Sequence, residues 1–354
     1  MQHIQSNIPK GQNSEDTVLH QEEDGILKAA IADGATCKDA KVNDWFLEEF
    51  SKTGGALVSQ AVIDIFKQAN TFPVLPSYIT QQLIQHYKEI GLPDNILQQE
   101  SYLKRPDCSF AGVVFDGENW YLTQVSDVTA VFTFNNGQQK VYQNERLIDD
   151  VHSEIRANYI VSQVKTLQEY DDVGNQKARE QLAILDIDIL DKNIDRVKAT
   201  LVLNSLSSEA RTKIIESGTA HIIESIKRQQ QQLRNKQVAT FNVLAPNRET
   251  LDTVQNAGFS VFDGTNVIEQ MEDVTVIQIP NSTNVVAVEL HSDGYFDIPD
   301  TSNMTLEESL QAVEQHYKVI AEFDLYALLI PSTKSSTSNT FSPRDDRAYI
   351  KLQK

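Results

Sequence analysis

The chain has 354 residues, with 31 Lys and Arg against 50 Asp and Glu, which gives a net charge of −19. Such an excess of negative charge argues against nucleic acid and anionic membranes as default partners. Only two cysteines are present, Cys37 and Cys108, and they show no paired spacing, so neither a disulfide framework nor a zinc site is expected.

Residues 1–10 lack the apolar core of a signal peptide, and no apolar run approaches the length of a membrane span. The sequence therefore predicts a soluble protein in a reducing cytoplasm, with export by a route that needs no cleaved signal left open. We expect a single domain over 1–354, because no linker rich in Pro, Ser or Gly divides the chain. Nothing in the sequence indicates an oligomeric state.

Strand patterns come first along the chain. Residues 25–33 form an apolar run after an Asp-Gly turn, and 17–20 can pair with them as a hairpin. The apolar spacing then predicts one or two amphipathic helices over 44–69 and another over 79–90. Two more hairpins follow, with strands at 110–115 and 120–125, then at 130–134 and 140–142.

The middle of the chain, 144–246, shows little strand alternation and several helical stretches. One exception is 185–190, which alternates for a few residues and is either a short strand or the start of a helix. The simplest interpretation is a helical insertion or cap at 165–236.

Four consecutive glutamines, 229–232, stand near the end of this segment. A glutamine run can be a low-complexity interaction tract. Here Ile222, Ile226 and Leu233 keep a helical spacing through it, which favours the solvated face of a helix.

The last third of the chain returns to strands. Residues 274–279 and 285–290 flank a polar connection and predict a third hairpin, and 348–352 predicts a closing strand. A helix is expected between them at 306–323. Helices between blocks of antiparallel strands predict an α+β fold, a two-sheet antiparallel β-sandwich flanked by helices, with a helical insertion.

Short acidic motifs stand where these strand-like runs begin or end. They are Glu15-Asp16, Asp33-Gly34, Asp293-Gly294 and Asp345-Asp346. A lone Asp-Gly is most often a turn. Carboxylates at several strand ends, from both termini of one chain, are what a hard divalent cation such as Mg²⁺ or Mn²⁺ needs.

In this order the motifs resemble one family, the metal-dependent Ser/Thr protein phosphatases of type 2C. Its members carry an Asn-Glu-Asp-like segment, an Asp-Gly strand end, a Gly-Asp-Ser-like turn, a Ser-Asp-Gly-x-x-Asp motif and a final Asp-Asp or Asp-Asn. The matching segments are 13–16, 33–34, 125–128, 292–297 and 345–346. The Asp-Gly-Ala-Thr that begins at Asp33 is similar to the divergent bacterial branch of the family.

The resemblance implies the metal ligands. Asp33 would bridge two ions, and the backbone carbonyl of Gly34 would be a further ligand. Asp293 and Asp345 would complete one metal site, and Glu15 would serve the other. Two Mg²⁺ or Mn²⁺ ions in such an arrangement activate a water for attack on phosphorus.

Other matched positions have supporting roles by the same resemblance. Asp16 would orient the metal-bound water, and Asp127 and Asp297 would hold a third, weaker ion. The family's phosphate-binding arginine has no counterpart, since Gly11 stands at its place with Lys10 beside it. Lys10 can substitute as a point charge, although it cannot make a bidentate guanidinium contact.

Three functions follow from this resemblance and its departures. The first is metal-dependent hydrolysis of phosphoserine or phosphothreonine on a phosphorylated protein substrate. The second is hydrolysis of another protein-linked phosphodiester, such as an adenylyl group, which the missing arginine and the helical insertion motivate. The third is a non-catalytic regulatory or binding module. Retention of all four main ligands argues against the third, because a degenerate site would lose part of a costly cluster of like charges.

Overall fold

The structure is a computed structural model, and the fold is given for the part of the chain that it describes. The described residues are 1–9, 14–35, 40–97, 105–144, 147–244, 251–255, 258–265, 267, 271–280, 284–295, 298–324, 326, 328–329 and 346–354.

Two antiparallel five-stranded sheets form the centre of the fold. In side-by-side order, the first sheet contains β1 (Gln2–Ile8), β12 (Arg347–Gln353), β11 (Val285–His291), β6 (Thr129–Phe134) and β7 (Gln139–Tyr142). The second contains β10 (Val274–Pro280), β5 (Asn119–Val125), β4 (Asp107–Phe115), β3 (Ile26–Ala35) and β2 (Thr17–Glu23). A separate pair, β8 (Thr240–Leu244) and β9 (Leu251–Gln255), forms a two-stranded sheet.

One apolar core fills the space between the two large sheets. It takes alternate residues of the central strands, among them Ile31, Ala111 and Leu122 from the second sheet and Phe132 and Ile350 from the first. Because side chains alternate between the faces of a strand, the period that predicts each strand also sets its inward face. The predicted α+β fold with a two-sheet antiparallel sandwich is confirmed.

Helices pack on the outer faces of both sheets. The helices α1 (Ala40–Phe50), α2 (Gly54–Gln68), α3 (Pro76–Glu89) and α4 (Asp94–Leu97) share a second core with the outer face of the second sheet. The helix α10 (Leu306–Phe323) packs on the first sheet, where Val313 and Tyr317 meet Tyr349. The segment 44–69 thus holds parts of two helices, which meet near Ser51, a residue with φ of +55°.

Helices also follow β7. They are α5 (Leu147–Val164), α6 (Gln168–Asp172), α7 (Asn175–Ile184), α8 (Asp191–Ser205) and α9 (Ser208–Leu233). They bury apolar clusters of their own, in which Ile160, Val202 and Leu203 take part. Within the described part of the chain, no helix is both long enough and apolar enough to cross a bilayer.

The segment 185–190 is neither a strand nor the start of a helix. It is the turn between α7 and α8, in which Asp186 has a φ of +55° and the Ile187 N–H donates to the Leu182 carbonyl at 3.0 Å. The alternation seen in the sequence reflects one buried apolar residue, Leu185, among exposed aspartates. The helix α9 runs through the glutamine stretch, which confirms the helix predicted there, while most of the predicted solvated face falls on side chains that the structure does not describe.

The third predicted hairpin is wrong. Strands β10 and β11 both exist, but β10 pairs with β5 in the second sheet and β11 pairs with β6 and β12 in the first. The chain between them therefore crosses from one sheet to the other. Two alternating runs with a short polar connection predict two strands, but the pattern does not state which neighbour each strand takes.

Candidate functional site

The inward-facing apolar stripes of β3 and β4 both end in a polar residue at the same end of the sandwich. On β3, Ile31 is followed two positions later by Asp33, and on β4, Ala111 is preceded by Ser109. The register of the two strands places Asp33 directly opposite Ser109. Residues two apart share a face, so the Asp33 carboxylate lies at the open end of the core between the sheets.

The first sheet contributes Asp346 and Asp293 to this end. The Ser292 N–H donates to the Ala348 carbonyl at 3.0 Å, and the Ala348 N–H donates to Ser292 Oγ at 2.9 Å. A Cβ added at Gly294 would lie 1.9 Å from the backbone oxygen of Asp346. The Asp293-Gly294 motif therefore packs directly on the start of β12.

Glu15 is held between three distant parts of the chain. Its backbone N–H donates to Asp346 Oδ2 at 2.8 Å, across 331 positions in sequence. Its carbonyl accepts from Ser59 Oγ of α2 at 2.5 Å. A Cβ at Gly34 would lie 2.5 Å from this same carbonyl oxygen. These contacts join Glu15, Gly34 and Asp346, which we call the junction.

The Glu15 carboxylate lies against the start of α2. A Cβ at Gly55 would stand 2.8 Å from Glu15 Oε1. Thr53 caps this helix by accepting from the Ala56 N–H at 3.2 Å. A helix N-terminus carries partial positive charge, which stabilises a nearby carboxylate. The Glu15 side chain comes this close because residue 55 is a glycine and has no Cβ in the way.

Asp16 is tied to the edge strand β1. Its backbone carbonyl accepts from Asn7 Nδ2 at 2.9 Å, and its N–H donates to Ser14 Oγ at 3.1 Å. The Ser14 hydroxyl in turn donates to Asn7 Oδ1 at 2.8 Å. This small network fixes the backbone of the acidic segment just before β2.

The structure brings some of the predicted residues together. Glu15 and Gly34 belong to the junction, Asp33 precedes Gly34, and Asp293 packs beside Asp346. Asp127 lies in the turn after β5, which is two strands away from β3, or roughly 10 Å at the usual strand spacing. The predicted residues outside the described part of the chain are Lys10, Asp297 and Asp345.

Asp346 is a residue of this end that was not predicted from the sequence, where it stands only as the neighbour of Asp345. Asp346 is 1% exposed and accepts the Glu15 N–H. A signal was present, because Asp346 continues the alternation of Ala348 and Ile350 on the inward face of β12. Its partner across 331 positions could not be read from the sequence.

Arg347 fixes the start of β12 from the outer face. Its guanidinium lies 3.7 Å from the Tyr317 ring centroid, and Nη2 lies 3.5 Å from Glu314 Oε2. Tyr295 donates a short hydrogen bond to Glu314, and burial together with this carboxylate raises the pKa of Tyr295. The cation–π contact and the ion pair hold the start of β12, which directly follows Asp346.

His291, the last residue of β11, contributes no positive charge at neutral pH. It is buried, and this burial lowers its pKa to about 4. Its Nδ1 lies 3.4 Å from the Ser292 carbonyl oxygen. It is thus a neutral strand residue beside Ser292.

The donor chemistry of this end suits a hard divalent cation. Glu15, Asp33 and Asp346 are buried, and burying several carboxylates together costs free energy unless charges or hydrogen bonds offset it. Carboxylate and carbonyl oxygens are the ligands that Mg²⁺ and Mn²⁺ prefer. No group of three or more His, Cys, Asp or Glu in the described part of the chain is arranged to hold an ion. The types of donor fit a divalent cation. Two of the predicted ligands, Asp297 and Asp345, lie outside the described part of the chain.

Residues 5–185 match the protein phosphatase 2C family, a stretch that covers just over half of the chain. The chain belongs to this family. The part of this chain that matches the phosphatase 2C family contains Glu15, Asp33 and Asp127, and it ends before Asp293. Membership supports phosphatase activity, which is a hydrolase reaction. No curated protein matches the chain at a significant level.

Solved structures of bacterial phosphatases are similar to the chain at low identity. The serine/threonine phosphatase PstP/Ppp of Mycobacterium tuberculosis is 12% identical, over 99% of this chain and 97% of that chain, with a TM-score of 0.42. A PstP catalytic domain with two manganese ions is 11% identical over 99% and 97%, with a TM-score of 0.40. RsbX in complex with magnesium is 10% identical over 99% and 92%, with a TM-score of 0.39. At these scores the likeness does not establish a shared arrangement of side chains.

Proposed function

We propose that the chain is a Mg²⁺- or Mn²⁺-dependent phosphatase that hydrolyses phosphoserine or phosphothreonine on proteins. The observation that carries this proposal is the junction, in which Glu15, Gly34 and Asp346 from three distant segments meet at the polar end of the sandwich. Membership in the phosphatase 2C family supports the reaction class.

The charge of this end argues for a cation. A phosphate group that approaches buried Glu15, Asp33 and Asp346 meets only negative charge from these three side chains. Like charges repel, and the repulsion is stronger away from bulk water. A divalent cation therefore supports both the stability of the cluster and the binding of phosphate.

Asp33, Asp293 and Asp345 would hold one such ion and Glu15 would serve a second, with the Gly34 carbonyl as a further ligand. Bound Mg²⁺ or Mn²⁺ lowers the pKa of a coordinated water and neutralises charge on the phosphate oxygens. Asp127 and Asp297 stay the predicted positions for a third, weaker ion.

The protein itself supplies fixed positions. Hydrogen bonds at both the N–H and the carbonyl of Glu15 keep its backbone from shifting when charge changes at the site. Donors that are already in place need no reorganisation during the reaction. Asp16 is the proposed group that orients the attacking water, and Lys10 is the proposed phosphate-binding charge.

The helical segment 165–236 is a proposed cap within a single phosphatase-like domain. The end of α7 and the turn that follows it present exposed apolar side chains, with Ile184 69% and Ile189 52% exposed. Such residues at a surface turn beside the exposed Asp186 and Asp188 suit contact with a protein rather than a small substrate.

The test is hydrolysis of a phosphoserine peptide and of p-nitrophenyl phosphate with millimolar Mn²⁺ and with EDTA. An adenylylated protein in parallel tests the phosphodiester alternative. We expect Mn²⁺-dependent release of phosphate, and a loss of more than about 100-fold in Asp33→Asn, because even outer-shell changes at metal sites cost nearly as much.

The matched control is Asp64→Asn, which makes the same change at an exposed position of α2. It should keep wild-type activity. Activity in EDTA, or near-normal Mn²⁺-dependent turnover by folded Asp33→Asn, would contradict the proposal. Hydrolysis of the adenylylated protein alone would replace it with the phosphodiester alternative.

A further inference from the structure

The hydroxyl of Ser109 is a buried polar group that the proposed mechanism does not use. Ser109 is 1% exposed, and its Oγ has no hydrogen-bond partner among the residues that the structure describes. Leaving a buried hydroxyl without a partner costs free energy, and the rare native examples need an explanation. Alanine would fit the same strand position without that cost.

Three other buried Ser and Thr hydroxyls in the described part of the chain share this property. They are Thr80, Ser153 and Thr200, and each lies on a helix. In a helix the carbonyl one turn earlier is within reach of such a hydroxyl, so a small rotation can satisfy it. Ser109 lies on β4, where the strand neighbours use the backbone groups, and it has no such local alternative.

The position of Ser109 suggests what its partner is. The strand register places it directly opposite Asp33 on the inward face of the second sheet. Side chains opposite each other on antiparallel strands have Cβ atoms about 4.5–5.5 Å apart. Although the two residues face each other across the strands, the Ser109 hydroxyl makes no hydrogen bond to Asp33. Since no described residue satisfies it, the hydroxyl suits a partner that is not part of the chain and that approaches Asp33.

We infer that Ser109 is a positioning residue whose hydroxyl hydrogen-bonds a water in the hydration shell of the cation at Asp33. This inference rests on the proposed function. Mg²⁺ and ions like it keep several waters when bound to proteins, and the outer partners of a metal site tune its affinity. A hydroxyl both donates and accepts, so it can bind such a water in either orientation.

The test compares Ser109→Ala with Ser109→Thr, which keeps the hydroxyl. Mn²⁺ binding is measured by isothermal titration calorimetry, and unfolding in urea is measured with EDTA present. We expect Ser109→Ala to raise the Mn²⁺ Kd about tenfold, and Ser109→Thr to stay nearer wild type. The metal-free unfolding midpoint of Ser109→Ala should not fall, because no hydrogen bond within the protein is lost.

Thr123→Val is the matched control. Thr123 is a buried residue of the neighbouring strand β5, and its hydroxyl donates to the Val74 carbonyl at 2.6 Å. Its replacement should lower the metal-free unfolding midpoint and leave the Mn²⁺ Kd unchanged. The control thus shows the response of a hydroxyl with a purely structural role.

Two results would overturn the inference, and they are distinguishable. An unchanged Mn²⁺ Kd in Ser109→Ala, with normal binding by the wild type, removes the role of Ser109 and leaves the proposed function intact. Absence of Mn²⁺ binding by the wild type removes the metal part of the proposed function together with this inference.

Discussion

Replacing Asp346 with alanine removes the acceptor of the Glu15 backbone N–H, whereas asparagine keeps an acceptor oxygen and removes only the charge. Asp346 is 1% exposed, so water cannot easily take the place of its carboxylate. A buried N–H left without a partner costs about 1–3 kcal/mol. Loss of one buried negative charge offsets part of this cost in metal-free protein.

The effect on activity should be larger than the effect on stability. Glu15 would lose one of its two backbone anchors and keep only the bond from Ser59. A shift of about 1 Å at a catalytic site can cost roughly 100-fold in rate. We therefore expect Asp346→Ala to lose about 100-fold in kcat/KM, and Asp346→Asn to stay within about fivefold of the wild type.

The assay is Mn²⁺-dependent hydrolysis of a phosphoserine peptide, with urea unfolding in EDTA as the measure of stability. Equal impairment of Asp346→Asn and Asp346→Ala would show that the negative charge is required, which would make Asp346 a ligand rather than a positioning group. Full activity of Asp346→Ala would show that the hydrogen bond to Glu15 has no role.

Three further predictions concern the junction, the first sheet and the cap. Gly34→Ala should abolish Mn²⁺-dependent turnover, because its Cβ would lie 2.4 Å from the Gly55 backbone oxygen. Lys351→Met should lower the free energy of unfolding in urea by about 3–5 kcal/mol, because it leaves the buried Glu289 without its ion-pair partner, whose Nζ lies 3.5 Å from Glu289 Oε1. The same change should not alter the Mn²⁺ affinity. Ile184→Asp should reduce kcat/KM for a phosphoprotein and leave p-nitrophenyl phosphate turnover unchanged, since Ile184 is exposed on the proposed cap; equal loss of both would contradict the cap.

The faces of the strands could be predicted from the sequence because alternation is a local property. Each residue of β3 between Ile26 and Ala35 is assigned to a face by its position alone, and the structure follows that assignment. Strand partners are not local. Strands β10 and β11 carry the pattern of a hairpin and join different sheets, since the pattern is equally satisfied by any neighbour with a matching inward face.

The strand β1 shows a related limit. Its sequence holds two apolar residues, Ile4 and Ile8, and most of its side chains are exposed. It lies at the edge of the first sheet and pairs on one side with β12. Edge strands have little apolar surface to bury, so their sequences give a weak strand signal. Its importance for the site, through Asn7 and the Asp16 carbonyl, follows only from the contacts.

Gly34 shows where the local interpretation of the sequence was misleading, because it lies inside β3, whereas Asp293-Gly294 does form a turn in which the Tyr295 N–H donates to the Ser292 carbonyl at 3.1 Å. An Asp-Gly pair predicts a turn, because glycine accepts a positive φ. Turn glycines of that kind occur at Gly117 and Gly137, with φ of +93° and +80° and open space around them. Gly34 and Gly294 lie outside that conformation, and a Cβ on either would overlap backbone atoms of Glu15, Gly55 or Asp346. These glycines are needed for space, because the backbones of distant segments approach one another there, and the site depends on that approach.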